Sequence, residues 1–376
     1  MTRDGAGRIS VLVVGAGGIA GGSHLPALRA HAERVELVGV VDVDVDRATA
    51  FAREWEIPRA FGDLGEALAA TRPTLTHICT PPMSHAGAIT RCLAGGSWVW
   101  CEKPPTLSLR EYDDATSGEQ EGGPYAGFVF QHRFGSAGRH IRAAVERGSF
   151  GAPLLSVCHT LWFRPQAYYD VPWRGRWDTE GGGPTMGHGI HQMDLMLHLL
   201  GDWNEVRAVA PRLCRNVDTE DVSAAILTMA NGMIVTVLNS ILSPREQSYL
   251  RIDFADATVE LTHVYGYGDS DWRITAAPHV RDEQRVTAWA PAGDVRSSHV
   301  AALGDLLDSI ERGERPSTSG AGGRAALELA AGLYQSAFTD KPVHRDELRA
   351  GNPFYESMSG SESRSGSAAR PERIGA

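Results

Sequence analysis

Two short strings carry residue types that move protons and steady charge. Residues 181–194 read GGGPTMGHGIHQMD, and residues 102–104 read Glu-Lys-Pro. An imidazole such as that of His191, with an ordinary pKa of about 6.5, exchanges protons near neutrality. An ammonium such as that of Lys103 hydrogen-bonds an oxygen and stabilises negative charge that develops on it. A third string, residues 11–20, reads VLVVGAGGIA. It is an apolar strand running into a glycine turn that opens a helix. In the G-x-G-x-x-A pattern Gly15 permits the tight turn, Gly17 lets backbone approach a pyrophosphate, and Ala20 allows close helix-to-strand packing; Gly18 and Ile19 complete the turn. Amides at the helix N-terminus then hold the anion.

These strings need elements to position them. From residue 9 to about 131 short β-branched runs alternate with helical stretches, the signature of parallel strands joined by right-handed crossovers. Strands are predicted at 9–14, 35–41, 75–80, 97–102 and 125–130, with a weaker one near Ala60, and Asp46, Asp63 and Ser84 are read as helix N-caps. Asp42 closes the second strand, where a carboxylate at about 20 residues past the glycines accepts hydrogen bonds from an adenosine ribose. Val43 follows it and no adjacent cation is evident, so NAD is favoured over NADP. Thr80, Pro81 and His85 follow the fourth strand at the carboxyl edge of the sheet, where ligands of such folds collect. Backbone contacts to the cofactor are expected there and near Glu102 and Lys103, with His85 mainly structural.

Beyond Arg133 a helix at 137–147 precedes strand-like segments at 154–163, 205–210, 222–228, 233–239, 249–254 and 258–261. Their near-consecutive order predicts an open, mainly antiparallel sheet. Asn231-Gly232 is a two-residue hairpin signal. Helices return at 300–312 and 324–338 and pack back near the junction. The expected organisation is a Rossmann domain over 1–131, a second α+β domain over 132–350, and a disordered tail over 356–376, rich in Ser, Gly and Arg. No internal repeat is present.

Composition bounds the function. The 376 residues are 42% hydrophobic and 22% charged, ordinary for a globular chain with two cores. No apolar run reaches the roughly 18 residues of a membrane span, and no secretory signal opens the chain. A cytoplasmic protein is expected. A net charge of -10 argues against nucleic acid. The five cysteines lack Cys-x-x-Cys spacing and read as reduced, buried thiols.

Taken together, the Gly15 turn, Thr80-Pro81-Pro82, Glu102-Lys103-Pro104, His132-Arg133-Phe134, the triple glycine and Gly189-x-His191-x-x-Asp194-Leu195 resemble the Gfo/Idh/MocA oxidoreductases. The resemblance covers nearly the whole chain. It implies a Rossmann domain, a second domain with a large open sheet, and homodimers or homotetramers built through that sheet. It also implies that Lys103 orients the substrate oxygen. His191 is then read as the general acid/base, taking a hydroxyl proton as hydride leaves to nicotinamide. Asp194, one turn on, is expected to orient His191 or cap a buried network. In the family an Asp usually lies four residues before this histidine; here that position is Gly187, with His188 the nearest substitute. The spacing of His188, His191, Asp194 and His198 would also suit a metal, but nicotinamide chemistry needs none and no metal is expected.

Residues 162–178 are dense in aromatics and arginine, including Tyr168, Trp173, Arg174 and Trp177. Aromatic faces and guanidinium donors suit a sugar or cyclitol, and equally suit an oligomer contact. The expected activity is an NAD-dependent dehydrogenase acting on a secondary alcohol of a sugar, amino sugar, glycoside or cyclitol. The alternatives are a redox-assisted lyase or glycosidase that retains NAD, and a catalytically silent nucleotide-binding protein.

Overall fold

The computed structural model describes residues 7–360, which form two compact units. The first unit holds the chain up to Thr106 together with Glu111–Val129 and His299–Arg324. Its strands are β1 (Ile9–Val14), β2 (Val35–Val41), β3 (Ala60–Phe61), β4 (Leu75–Ile78), β5 (Trp98–Cys101) and β6 (Ala126–Phe128), in the order β3-β2-β1-β4-β5-β6. All pairs are parallel. Every residue of β1, β4 and β5 is buried, as expected of a parallel sheet covered on both faces. The order reverses between β1 and β4, a switch point that places the Gly15 turn where ligands of such sheets gather. Asp63 caps the helix Leu64–Thr71 through the Glu66 N–H, but Asp44, not Asp46, caps Val45–Trp55, and Ser84 makes no side-chain cap. Asp44 is the residue whose extended backbone turns its carboxylate toward the free N–H of Arg47.

The second unit holds Leu107–Arg110, Phe130–Ser298 and the chain from Ala325. Its sheet comprises β7 (Pro153–Phe163), β8 (Trp203–Val209), β9 (Val222–Met229), β10 (Ile234–Ser240), β11 (Leu242–Phe254), β12 (Ala257–His263), β13 (Trp272–Ala276) and β14 (Val343–His344). The order is β13-β12-β11-β7-β10-β9-β8-β14. The sheet is antiparallel except that β7 and β10 run parallel, because β7 inserts between β10 and β11, which follow one another in the chain. The Asn231-Gly232 turn joins the antiparallel pair β9 and β10, with Gly232 at φ +86°. One sheet face is buried through Cys158, Trp162, Val237, Leu227 and Leu250. The other leaves Leu155, Ile226, Ile234 and Val209 between 41% and 58% exposed. Phe354 and Met358 are buried, so the chain stays packed beyond Glu356; the rest of the expected tail lies outside the described residues. Four cysteines are buried thiols, whereas Cys214 is exposed in the loop before β9. Among the described residues no helix is long and apolar enough to cross a membrane.

A buried carboxylate ties the first unit together. Glu102, directly after β5, accepts hydrogen bonds on one oxygen from His24 Nε2 at 3.0 Å and His299 Nε2 at 3.1 Å. Its other oxygen accepts from the Lys103 N–H at 3.2 Å. His24 Nδ1 meets His77 Nδ1 at 3.1 Å, and the Trp100 ring packs against all three imidazoles. One tautomer set satisfies this chain: His77 donates to His24, and His24 donates to Glu102. Burial lowers the pKa of His24 and His77, keeping both neutral. Burial also pushes the Glu102 carboxyl up, but the histidine donors more than reverse this and hold it well below 4.5.

Below about pH 6.5 the unfolded chain therefore binds protons at His24 and His77 that the folded chain refuses, and near 4.5 it binds one at Glu102. Stability is predicted to fall steadily as pH drops from 7.5 to 4.5, as read by urea unfolding. Glu102→Gln should cost about 3–5 kcal/mol at pH 7, since it breaks a buried charged network. A flat wild-type profile, or a variant within about 0.5 kcal/mol, would contradict this role.

Candidate functional site

In the first unit the site is built where β1 ends. Gly15 adopts φ +97°, and a Cβ there would stand 2.9 Å from the carbonyl carbon and oxygen of Cys79, so only glycine lets β1 turn this close to the end of β4. A Cβ on Gly17 or Gly18 would meet nothing within 4 Å among the described residues, leaving the turn backbone open to an approaching phosphate. Asp42 accepts from the Ala16 N–H at 2.9 Å and from the Asp44 N–H at 3.0 Å, which fixes its carboxylate beside the turn. It also pairs with Arg47 at 2.6 Å. Burial raises the Asp42 pKa, and these donors pull it below the usual value. The expectation that no cation stands nearby is thus corrected: Arg47, one helical turn on, reaches back to Asp42. These residues fit a dinucleotide, with the turn for the pyrophosphate and Asp42 for the ribose diol.

Around the same edge, His85 is buried, with one ring nitrogen 2.9 Å from the Pro104 carbonyl and the other 2.9 Å from that of Thr80. Burial lowers its pKa, so the neutral ring donates to one carbonyl at a time and ties the Thr80-Pro81 loop to the segment after Lys103. Lys103 is half-buried at the end of β5, its backbone held by Glu102.

In the second unit the triple glycine makes room for a buried carboxylate. A Cβ on Gly183 would fall 1.9 Å from the Glu220 carbonyl oxygen. Glu220 accepts from the Gly183 N–H at 3.0 Å, the Thr185 N–H at 3.1 Å and the Tyr334 hydroxyl at 2.9 Å. Burial pushes its carboxyl up against the pull of those donors. They anchor the start of a π-helical turn, Thr185–Gly189, which runs into the helix Ile190–Leu200. His191 is 3% exposed in that helix's first turn, its ring 5.3 Å from His132 and 5.8 Å from Tyr265. His132 is itself fixed by the Tyr265 carbonyl at 2.5 Å and by the Tyr267 hydroxyl on its carbonyl. His188 accepts from Arg164 Nε at 3.2 Å and packs edge-on against Trp162. Arg164 lies over the Trp162 and Tyr168 rings, and Arg174 lies over Tyr168 and Trp173.

Two candidates make structural contacts. Both Asp194 oxygens are taken by Arg133 in a buried bidentate pair, so its carboxylate fixes the 131–134 turn to the helix. Trp177 is half-buried, donates its indole N–H to the Asp218 carbonyl and packs on Tyr334 and Phe338. Arg164 falls in the 162–178 segment that the sequence marks out, whereas Glu220 and the joining of His24, Glu102 and His299 were missed. The last is the group among the described residues whose His and carboxylate atoms lie within 4.8 Å of one another; the His188-to-His198 series does not form one.

Comparison with known proteins accords with this geometry. The oxidoreductase family with NAD-binding Rossmann fold matches residues 9–124, and the GFO/IDH/MocA C-terminal domain matches residues 139–261. The D-glucoside 3-dehydrogenase of Escherichia coli (strain K12) is 24% identical over 360 residues, 89% of this chain and 97% of its own. The myo-inositol 2-dehydrogenase of Thermotoga maritima is 24% identical over 346 residues, 85% and 95% of the two chains. In fold, the WlbA dehydrogenase of Bordetella pertussis, solved with NADH and UDP-GlcNAcA, has a TM-score of 0.79 at 24% identity, covering 90% of this chain and 98% of that one. With the Gly15 turn inside one family match and His191 behind its glycines inside the other, the chain belongs to the Gfo/Idh/MocA oxidoreductases.

Proposed function

We propose that the protein oxidises a secondary alcohol of a sugar, glycoside or cyclitol, or reduces the matching ketone. The observation that carries this reading is the wall of Trp162, Arg164, Tyr168 and His188 against the turn that leads to His191. Its rings match the apolar CH faces of a polyol, and its guanidinium donates to hydroxyl oxygens. Bound NAD supplies the hydride acceptor. The substrate C–H pair leaves as hydride, the hydroxyl proton passes to His191, and the C–O bond becomes C=O. Lys103 hydrogen-bonds that oxygen and steadies its partial charge as the proton departs. The D-glucoside and inositol specificities of the relatives support this substrate class.

We also assign the exposed apolar sheet face of Leu155, Ile226 and Ile234 to self-association, as a homodimer or homotetramer, because contiguous apolar surface of this kind marks an interface.

Incubation with NAD and a panel of sugars, glycosides and inositols should give reduced-nicotinamide absorbance and a ketone. His191→Ala should lower kcat by about 10²–10⁴-fold, and Lys103→Ala by about 10²–10³-fold, with NADH binding retained. Full turnover in His191→Ala would refute its role, and product without net nicotinamide reduction would favour a redox-assisted lyase. Asp42→Ser removes the ribose acceptor and frees Arg47 for a 2′-phosphate. It should lose about tenfold to a hundredfold in kcat/KM for NAD and gain on NADP; an unchanged preference would oppose the assignment of Asp42. Ile226→Lys with Ile234→Glu should yield a smaller species by light scattering, and an unchanged mass would place any interface elsewhere.

A further inference from the structure

Three guanidiniums gather around Tyr168 and Tyr169, and a carboxylate pairs with only one of them. Arg164 gives Nη1 to Glu246 at 2.8 Å and to the Phe163 carbonyl at 2.7 Å, and Nε to His188 at 3.2 Å. Its charge and its place are thereby fixed. The guanidinium carbon of Arg174 stands 3.8 Å from the centre of the Tyr168 ring and 4.5 Å from that of Trp173. Arg215, from the loop before β9, lies 5.2 Å over Phe163. The Tyr169 phenol feels the charges of both Arg164 and Arg215, which sets that loop beside the 162–178 segment. Among the described residues neither Arg174 nor Arg215 has a carboxylate within ion-pairing reach, and the Arg174 side chain makes no hydrogen bond. Arg215 Nη1 reaches the Cys214 sulfur at 3.8 Å, and its Nε is buried without an acceptor.

Both segments are held in place. Asp221 accepts the N–H groups of Leu213, Cys214 and Arg215 at 2.7, 2.6 and 2.8 Å. Gln166 exchanges hydrogen bonds with the Asn216 backbone at 3.0 and 3.3 Å. Arg174 is half-buried; burial lowers its pKa, the Glu180 charge opposes this and the Arg164 charge adds to it. Glu180 itself spends Oε2 on the Gly175 N–H at 2.6 Å. A guanidinium keeps its proton in a protein, so the cost of partial burial stands until an acceptor meets it. Stacking covers the faces of the Arg174 group and leaves its edge, where the N–H groups lie, for an in-plane two-point contact. That edge matches two oxygens of a carboxylate or a phosphate. The chain as a whole carries -10, so an anion gains nothing from the overall field and depends on local donors of this kind.

We propose that Arg174, with Arg215, forms an anion subsite beside the polyol wall, and that the substrate is a sugar bearing an oxyanion, a carboxylate or a phosphate ester. The proposal rests on the polyol reading above and narrows it, since a neutral sugar or cyclitol offers these guanidiniums no charge. Tyr168 joins the subsite to the wall: it carries Arg174 on its ring and lies 6.0 Å from the His188 ring.

The test pairs neutral sugars with charged counterparts, methyl glucoside with methyl glucuronide and glucose with glucose 6-phosphate. Binding to the NADH-loaded protein is measured by calorimetry, and kcat and KM with NAD, for wild type, Arg174→Gln, Arg174→Lys and Arg215→Gln. Wild type should prefer one charged sugar over its neutral partner by at least about tenfold, and which one it prefers separates carboxylate from phosphate. Arg174→Gln should lose at least about tenfold of that preference, and Arg174→Lys, which keeps the charge without the planar fork, should fall between. Arg215→Gln should lower the same preference, and it decides the matter if Arg174→Gln fails to fold by urea titration. A loss shared equally by charged and neutral sugars is what mere loss of packing gives, and would overturn the proposal. Turnover of neutral sugars with no preference for the charged ones would overturn it too, while leaving the dehydrogenase reading standing. A charged sugar that binds through Arg174 but reduces no nicotinamide would remove the dehydrogenase reading and uphold the subsite. Absence of binding by any of these sugars would overturn both.

Discussion

A carboxylate buried at the end of β5 is the constraint on which the first unit depends. Left unpaired, Glu102 would cost more than a marginally stable domain can offset, so three parts of the chain converge to satisfy it. His24 comes from the helix after the glycine turn, His299 from the start of the helix His299–Arg312, and the Lys103 N–H from the next residue. The nucleotide turn, the lysine and a helix nearly 200 residues downstream are thereby tied to one atom pair. The neutral imidazole of His24 suits this role because it donates to Glu102 without adding charge that would itself need a partner.

The second unit solves its positioning problem in the same way. Glu220 receives the N–H groups that open the turn before His191, and the buried Arg133–Asp194 pair ties the 131–134 turn to the helix that carries His191. Lys103 stands one residue from a buried, satisfied charge, and His191 stands three residues from another. The flexible Lys and the compact His are thus mounted on backbone that has little freedom to shift, which is what orientation-dependent chemistry demands.

Much of this was legible in the sequence. β-branched runs at 9–14 and 35–41, the glycine spacing at Gly15 and Gly17, and the Asn231-Gly232 turn each report a local requirement, and local requirements are written in adjacent residues. The contacts that escaped are those made at a distance. His24 and His299 look like ordinary helix residues until Glu102 joins them. Arg47 reads as a surface residue until the capped helix swings it back to Asp42. Asp194 was expected to orient His191 or cap a buried network, but its partner Arg133, and the Tyr334 ring that meets Trp177, come from distant parts of the chain. The parallel pairing of β7 with β10 likewise depends on a strand insertion that no hydropathy pattern encodes.

The most direct test of the central claim follows the hydride itself. The protein is incubated with NAD and a polyol deuterated at the carbon to be oxidised, and the nicotinamide and the sugar product are both weighed by mass spectrometry. Hydride transfer to nicotinamide with net oxidation predicts one deuterium in the reduced cofactor and none at the new carbonyl carbon. Deuterium returned to the sugar product, or a nicotinamide that never carries the label while polyol is consumed, would contradict it.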